Sequence, residues 1–280
     1  MASQVDWLQV LLQCKDNVKK HVRPLFKSLK EPQPYLGIGA GGDPMKLVDL
    51  AAEKAIVEVL LENDLSFTLV SEESGIKEFG DNPRDWYVTV DPIDGTTNLM
   101  RGLPFYCSSV AVSRQPTLSA VFAASVTDLF HDVSYTALKG KGAYREKEKI
   151  TPSSVTTLKE AVIGLDLNTY GIKEVAPQIS DLIQETKHIR HFGANALELC
   201  YVAEGLTDAF IDIRGKLRTT DVAAGFHIIK EAGGTITSPE GSPIDVKLNP
   251  KQTLKFVASG NIGIHKKILK LINPRKEKQC

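Results

Sequence analysis

Residues 86–102, WYVTVDPIDGTTNLMRG, constrain the fold of this chain more than any other stretch. Trp86 to Val90 is apolar, aromatic and β-branched, as a buried strand is. The run ends on Asp91, and Asp94 follows before Gly-Thr-Thr-Asn. Two carboxylates closing a buried strand repel each other, and burial penalises the charge of both. No Lys or Arg lies between Asp91 and Asn98 to offset them. Similar endings recur: Phe67 to Val70 runs into Glu72-Glu73, and Asp221 opens a helical pattern after Thr219-Thr220. In layered α/β folds, strand ends and helix starts converge on one rim, where ligands bind.

The rest of the chain supplies the layers. Val5, Leu8, Leu11, Leu12, Val18, Val22 and Leu25 recur at helical spacing and predict an opening helix over 4–29. A Pro/Gly-rich loop over 31–44 follows, its GIGAGGDP segment expected to be mobile. A helix over 46–63 carries Leu47, Leu50, Ala51, Ile56, Val59 and Leu60 on its apolar side. After the strands ending at Glu72 and Asp91, alternating segments over 105–146, broken at Pro116, Asp132 and Gly140, predict antiparallel strands. Composition shifts over 147–157, which divides the chain into an N-terminal α+β subdomain (1–150) and a C-terminal α/β subdomain (151–280) sharing one catalytic unit. Beyond it the pattern predicts a strand (161–166), a helix (174–187), a strand (188–192) and a helix (194–204) stopped by Gly205. Then come the strand DAFIDIR, a helix (221–231) stopped by Gly233-Gly234, a strand (255–259), a helix (262–272) and a frayed end, PRKEKQC. This order of elements predicts an α/β (α+β) protein with mixed sheets layered by helices.

Composition excludes several classes. In 280 residues, 34 Lys plus Arg balance 34 Asp plus Glu, so no charge excess points to nucleic acid or an anionic membrane. No run reaches the roughly 18 apolar residues of a membrane span, and the N-terminus lacks a secretory pattern. Cys14, Cys107, Cys200 and Cys280 are far apart and form no C-x-x-C, which predicts reduced thiols in a cytoplasmic protein. The histidines form no zinc motif.

A divalent cation is the natural partner for converging carboxylates. Oxygen ligands without imidazole or thiolate point to magnesium, with manganese as a substitute. Pro92 stiffens the turn and lets the Ile93 carbonyl join the ligands. Gly95 permits close approach, and the amides of Gly95, Thr96 and Thr97 would receive an anion such as phosphate. A cation site beside an anion site suits metal-assisted phosphoryl hydrolysis. Singly, each residue is equally a turn or helix cap, and Glu73 reads as solvated or as backing the ligands.

VDPIDGTTN resembles the signature of the inositol monophosphatase family of magnesium-dependent, lithium-sensitive phosphatases. TDVAAGFHIIKEAGGTI is similar to its second signature, SEES to its G-E-E-S, GGDPMKLVD to its aspartate-spaced loop (Asp43 to Asp49), and FGANALELCYVAEGLTDAF to its sugar-site segment. The resemblance implies a layered αβαβα sandwich and a homodimer. Glu72, Asp91 and the Ile93 carbonyl would hold one ion, and Asp91, Asp94 and Asp221 a second. Asp49 and Glu72 would share a third. Thr96, backed by Asp49, would orient the attacking water. Asp94, Gly95 and Thr96 would face the phosphate, and Gly193, Ala194, Asn195 and Asp212 the sugar.

Three departures stand out. Thr220 replaces the family tryptophan, and Lys46 replaces a loop threonine. IRGKLRTT is longer than the usual connection before Asp221. It spaces Arg214, Lys216 and Arg218 so that an extended backbone would turn all three to one side with Asp212, against a second substrate phosphate. That pattern resembles the archaeal-type enzymes accepting both inositol phosphate and fructose 1,6-bisphosphate. The alternatives are a 3'-phosphoadenosine 5'-phosphate phosphatase and a non-catalytic regulatory protein on the same fold.

Overall fold

The structure, a computed structural model, describes residues 5–28, 34–167 and 172–273. In chain order, α1 (Trp7–Val22) and α2 (Leu47–Glu62) precede β1 (Phe67–Ser71), β2 (Gly75–Phe79) and β3 (Tyr87–Asp94). A short α3 (Thr96–Arg101) leads to β4 (Cys107–Ser113), β5 (Val121–Asp128), β6 (Val133–Leu138), β7 (Gly142–Arg145) and β8 (Glu148–Lys149). Then follow β9 (Val162–Leu165), α4 (Ile172–Glu185), β10 (His188–Arg190), α5 (Asn195–Glu204) and β11 (Ala209–Asp212). The chain closes with α6 (Thr219–Ala232), β12 (Thr235–Thr237), β13 (Phe256–Ser259) and α7 (Ile262–Ile272).

Strands β1 to β8 make one sheet in the order β2-β1-β3-β4-β5-β6-β7-β8, antiparallel except where β1 meets β3. The second sheet runs β10-β9-β11-β13-β12. The period-two alternation of the strands sends side chains into separate cores. Val88 and Val90 of β3 face α1 and α2. Cys107 and Ala111 of β4, with Phe210 and Phe256 of the second sheet, meet α5 and α6 between the sheets. Ile211 and Val257 face outward onto α4 and α7. The layers are therefore α1α2, sheet, α5α6, sheet, α4α7, the expected αβαβα sandwich. A helix held between two sheets has no solvent face, and α6 is buried without interruption from Thr219 to Ile229.

Besides the short strands β8 and β12, which the pattern does not predict, two elements depart from expectation. The opening helix ends at Val22 and tightens into a 3-10 turn over Arg23–Ser28. Pro24 has no N–H for the α-helical ladder there. The expected end of that helix at residue 29 and the frayed C-terminus at 274–280 lie outside the described residues. The unexpected strand β2 hairpins with β1, pairing Ser71 with Gly75, so Glu72, Glu73 and Ser74 form the turn. Three of its five residues are exposed, so it lacks an apolar signal.

The glycine-rich loop, expected to be mobile, is tied to that turn. Ala40 N–H donates to the Glu73 carbonyl (2.9 Å) and Gly41 N–H to the Glu72 carbonyl (2.7 Å).

A β-bulge settles where the two aspartates point. In a regular strand Asp91 and Asp94 would face opposite sides. Asp91 pairs with Ser109 and Asp94 with Cys107, so β3 carries one extra residue there. The extra residue restores parity and brings both carboxylates to the α5–α6 side. Pro92 is tolerated because a bulge leaves a ladder donor unused.

The α5–α6 contact that carries this rim is tight. A Cβ on Gly225 of α6 would lie 2.6 and 2.7 Å from Cδ1 and Cβ of Leu199 on α5. Alanine gains about 1 kcal/mol of helix propensity over glycine. Overpacking against a backbone-anchored atom costs about 1–3 kcal/mol, and the core excess prevails. Gly225→Ala is expected to destabilise the protein by ~1 kcal/mol in urea unfolding; unchanged or increased stability would contradict this packing.

Candidate metal and active site

Each carboxylate arrives by its own local device. Glu72 stands in the β1–β2 turn, Asp91 ends the regular part of β3, and the bulge swings Asp94 round. Asp221 lies in the first turn of α6, where its Oδ2 accepts the Arg218 N–H at 2.8 Å. Asp49 does the same in α2, accepting the Lys46 N–H at 3.1 Å. Helix N-termini favour negative charge, so these aspartates are helix caps as well as site residues.

Carboxylate oxygens of Glu72, Asp91 and Asp221 lie within 4.8 Å of one another. Asp91 and Asp221 are each 3% exposed, and Asp91 Oδ1 is buried with no hydrogen-bond partner. Asp94 Oδ2 accepts the Ala196 N–H of α5 at 2.6 Å and the Cys107 thiol at 3.7 Å. Beside them, Thr96 Oγ1 lies 3.2 Å from Asp49 Oδ1 and 2.8 Å from the Ile93 carbonyl.

Burial raises the carboxyl groups of Glu72, Asp91, Asp94 and Asp221 above their ordinary range. Repulsion from neighbouring carboxylates adds to this for Glu72 and Asp91. Burial pushes Asp49 up to about 7, against the Thr96 hydrogen bond, and Glu73 up to about 8, with the charges of Asp49 and Glu53 adding to it. An orphaned buried carboxylate oxygen beside two more carboxylates, all hard donors, fits a divalent cation such as magnesium.

The one cation that reaches this cluster among the described residues is Arg218. Its Nη2 donates to Glu72 Oε1 (2.6 Å), its Nε to Asp221 Oδ1 (3.3 Å), and its Nη1 to Asp43 Oδ2 (3.0 Å) and the Gly41 carbonyl (2.9 Å).

The backbone beyond Asp94 is equally constrained. Gly95 adopts φ +87, and a Cβ there would stand 3.0 Å from Ala194 Cβ and 3.0 Å from the Phe105 carbonyl. Gly95 thus faces Ala194 and the Gly193 carbonyl across a narrow gap, with Asn195 opening α5. Asn98, given no role from sequence, holds that gap: its Nδ2 donates to the carbonyls of Phe105 (2.8 Å) and Phe192 (2.7 Å). Its only signal was its place at the end of the aspartate string. Glu198, also missed, accepts the amides of Phe192 (3.1 Å) and Gly193 (3.0 Å). Glu53 of α2, missed as well, accepts the Ser74 amide at 3.2 Å and the Ser71 hydroxyl, bracing the Glu72 turn.

The three spaced cations do not share a side. The chain leaves β11 at Asp212 and turns at Gly215, whose φ is +71, so the extended geometry is lost. Arg214 folds back onto Asp212, with Nε to Oδ1 at 3.1 Å and Nη2 to Oδ2 at 2.8 Å, and also pairs with Asp166. Asp212 is fully buried under that guanidinium. Lys216 is exposed, and Arg218 alone turns to the carboxylates. Cys14, Cys107 and Cys200 are buried, separate thiols. No helix among the described residues is long and apolar enough to cross a membrane.

The chain is thus a five-layered αβαβα sandwich whose carboxylate cluster between the sheets could hold a metal ion. The family model described as inositol monophosphatase family matches residues 12–277, and the chain belongs to that family. It is 36% identical over 275 residues to a fructose-1,6-bisphosphatase/inositol-1-monophosphatase of Methanothermobacter thermautotrophicus, covering 95% of this chain and 96% of that protein. It is 33% identical to a bifunctional NADP phosphatase/NAD kinase of Methanococcus maripaludis, covering 97% of this chain but 50% of that protein. The crystal structure of an inositol monophosphatase-fructose 1,6 bisphosphatase superposes with a TM-score of 0.83 at 30% identity, covering 95% of this chain and 100% of the other.

The raised carboxyls set a pH dependence. Asp49 and Glu73 hold their protons up to about 7 and about 8 in the fold, against ordinary values of 3.8 and 4.5. Between about pH 4 and pH 8 the folded state therefore carries more protons than the unfolded state, and stability falls as pH rises through that window. The Tm of chelator-treated protein should drop between about pH 5.5 and pH 8.5. Magnesium should restore more of it at the higher pH, where fewer protons compete. A Tm that rises across the window in chelator would contradict the raised values.

Proposed function

We propose that this protein is a magnesium-dependent phosphomonoesterase that releases phosphate from inositol monophosphate and from fructose 1,6-bisphosphate, working as a cytoplasmic homodimer. The reading is carried by the convergence of Glu72, Asp91 and Asp221, with Asp91 Oδ1 left unpartnered, in a chain of this family. Glu72, Asp91 and the Ile93 carbonyl would hold one ion, and Asp91, Asp94 and Asp221 a second; Asp49 and Glu72 would hold a third, with manganese as a substitute. Bound magnesium supplies an acidified water and neutralises charge gathering on the phosphate and leaving oxygens.

The chain's own groups do the positioning. Thr96 Oγ1, steered by Asp49 and the Ile93 carbonyl, orients the water for in-line attack on phosphorus. Asp49, hydrogen-bonded to that hydroxyl, holds it in place. The Gly95 and Thr96 amides hold phosphate oxygens, and the sugar lies against Gly193, Ala194 and Asn195. Asp212 reaches the sugar only where Arg214 releases it. For the bisphosphate, Arg218 is the one of the three spaced cations on the carboxylate side to meet the second phosphate, while Arg214 is held by Asp212 and Asp166.

A phosphate-release assay with magnesium tests the reading on inositol 1-phosphate, fructose 1,6-bisphosphate, 3'-phosphoadenosine 5'-phosphate and NADP. Turnover of the first two is expected. Turnover confined to the nucleotides would overturn the substrate assignment in favour of the nucleotide phosphatase reading. Asp94→Asn should lower kcat by roughly 100-fold or more while leaving the unfolding midpoint close to wild type.

A further inference from the structure

The segment 192–196 hangs between two buried carboxylates. Glu198 Oε1 accepts the amides of Phe192 (3.1 Å) and Gly193 (3.0 Å), and Asp94 Oδ2 accepts the Ala196 amide (2.6 Å). The peptide joining Phe192 to Gly193 is gripped at both ends. Its N–H donates to Glu198 Oε1, and its carbonyl accepts from Asn98 Nδ2 at 2.7 Å. The C=O and N–H of a planar trans peptide point opposite ways, so partners on both sides fix the rotation of the plane. Asn98 also holds the Phe105 carbonyl (2.8 Å), and the rings of Phe105 and Phe192 stack with centroids 4.8 Å apart. Gly193 adopts φ +81, a turn that glycine makes without strain. The second sheet leaves room for the carboxyl. Glu198 is 2% exposed, and a Cβ on Gly164 of β9 would fall 2.8 Å from its Oε2. Beyond the gripped peptide, the Gly193 carbonyl borders Gly95, where a Cβ would stand 3.3 Å from it.

We propose, on the reading that this chain hydrolyses sugar or inositol phosphates, that Glu198 is a positioning residue that sets the sugar-facing segment against Gly95 and so selects substrates carrying a polyol. Glu198 touches no substrate and acts through the Phe192–Gly193 peptide. With that N–H released, the plane is held by Asn98 alone and can rotate, carrying the Gly193 carbonyl and Ala194 away from their places beside Gly95. A group displaced by about 1 Å can cost roughly 100-fold in rate, so a small rotation is enough to spoil the fit of a polyol. A phosphate ester without a polyol makes no use of that wall and is affected less.

Steady-state kinetics with magnesium compare wild type, Glu198→Gln, Glu198→Leu and Gly164→Ala on inositol 1-phosphate and on p-nitrophenyl phosphate, which has no polyol. Gln keeps an acceptor oxygen for both amides, and Leu removes it. Gly164→Ala pushes the carboxyl from behind with its chemistry intact, and decides the matter if the Leu variant fails to fold. Glu198→Leu and Gly164→Ala should raise KM for inositol 1-phosphate at least about tenfold more than KM for p-nitrophenyl phosphate, with kcat changed less. Glu198→Gln should restore most of that loss. Hydrogen exchange, which needs no substrate, should show the Phe192 and Gly193 amides less protected in Glu198→Leu than in wild type or Glu198→Gln. Combined with Asn98→Ala, the loss from Glu198→Leu should be less than additive, since both loosen one peptide. Equal loss on the two substrates in both Glu198→Leu and Gly164→Ala, or unchanged KM in both, would overturn the proposal. Wild type inactive on inositol 1-phosphate would overturn the sugar-phosphatase reading itself, whatever the variants do.

Discussion

Carboxylates held within a few ångströms of one another, away from water, are the constraint around which this molecule is arranged. Each loses hydration and each repels the next, so the fold holds the group together only with protons, a guanidinium or a metal ion. Burial raises the carboxyls of Glu72 and Asp221 above their ordinary range, and Arg218 lies across both. Asp91 Oδ1 is buried with no hydrogen-bond partner, which is why the cluster reads as a cation site rather than an ion-pair network.

The sandwich makes that crowding possible. Helix α6 is shared between the sheets, so Asp221 at its first turn is brought over β3 from a distant part of the sequence. The one-residue bulge turns Asp91 and Asp94 to the same side, and the β1–β2 turn brings Glu72 alongside. None of these devices tolerates much slack. A Cβ at Gly225 would clash with Leu199 and one at Gly95 would crowd Ala194, so helix packing and site geometry are set together.

The site was more legible in the sequence than its surroundings. Asp91, Asp94, Glu72 and Asp221 each fall at the end of an apolar run or the start of a helix, where one residue's position determines its exposure to the rim. The layered fold followed from the alternation of elements, and α7 over 262–272 was read with its observed limits. The hairpin strand β2 was not legible, because an edge strand that buries so little carries no apolar pattern. Nor was the fate of Arg214, Lys216 and Arg218. Their spacing implies a shared side only in extended backbone, and Gly215 turns the chain between them. What then decides each side chain is the nearest buried carboxylate: Asp212 and Asp166 for Arg214, Glu72 and Asp221 for Arg218. Such long-range pairings are a product of topology and leave no local signature.

The most direct test of the cation site is anomalous diffraction from crystals soaked in manganese(II). The account predicts an anomalous peak coordinated jointly by Glu72, Asp91 and Asp221. A peak elsewhere, or none at saturating manganese with those carboxylates still clustered, would contradict it.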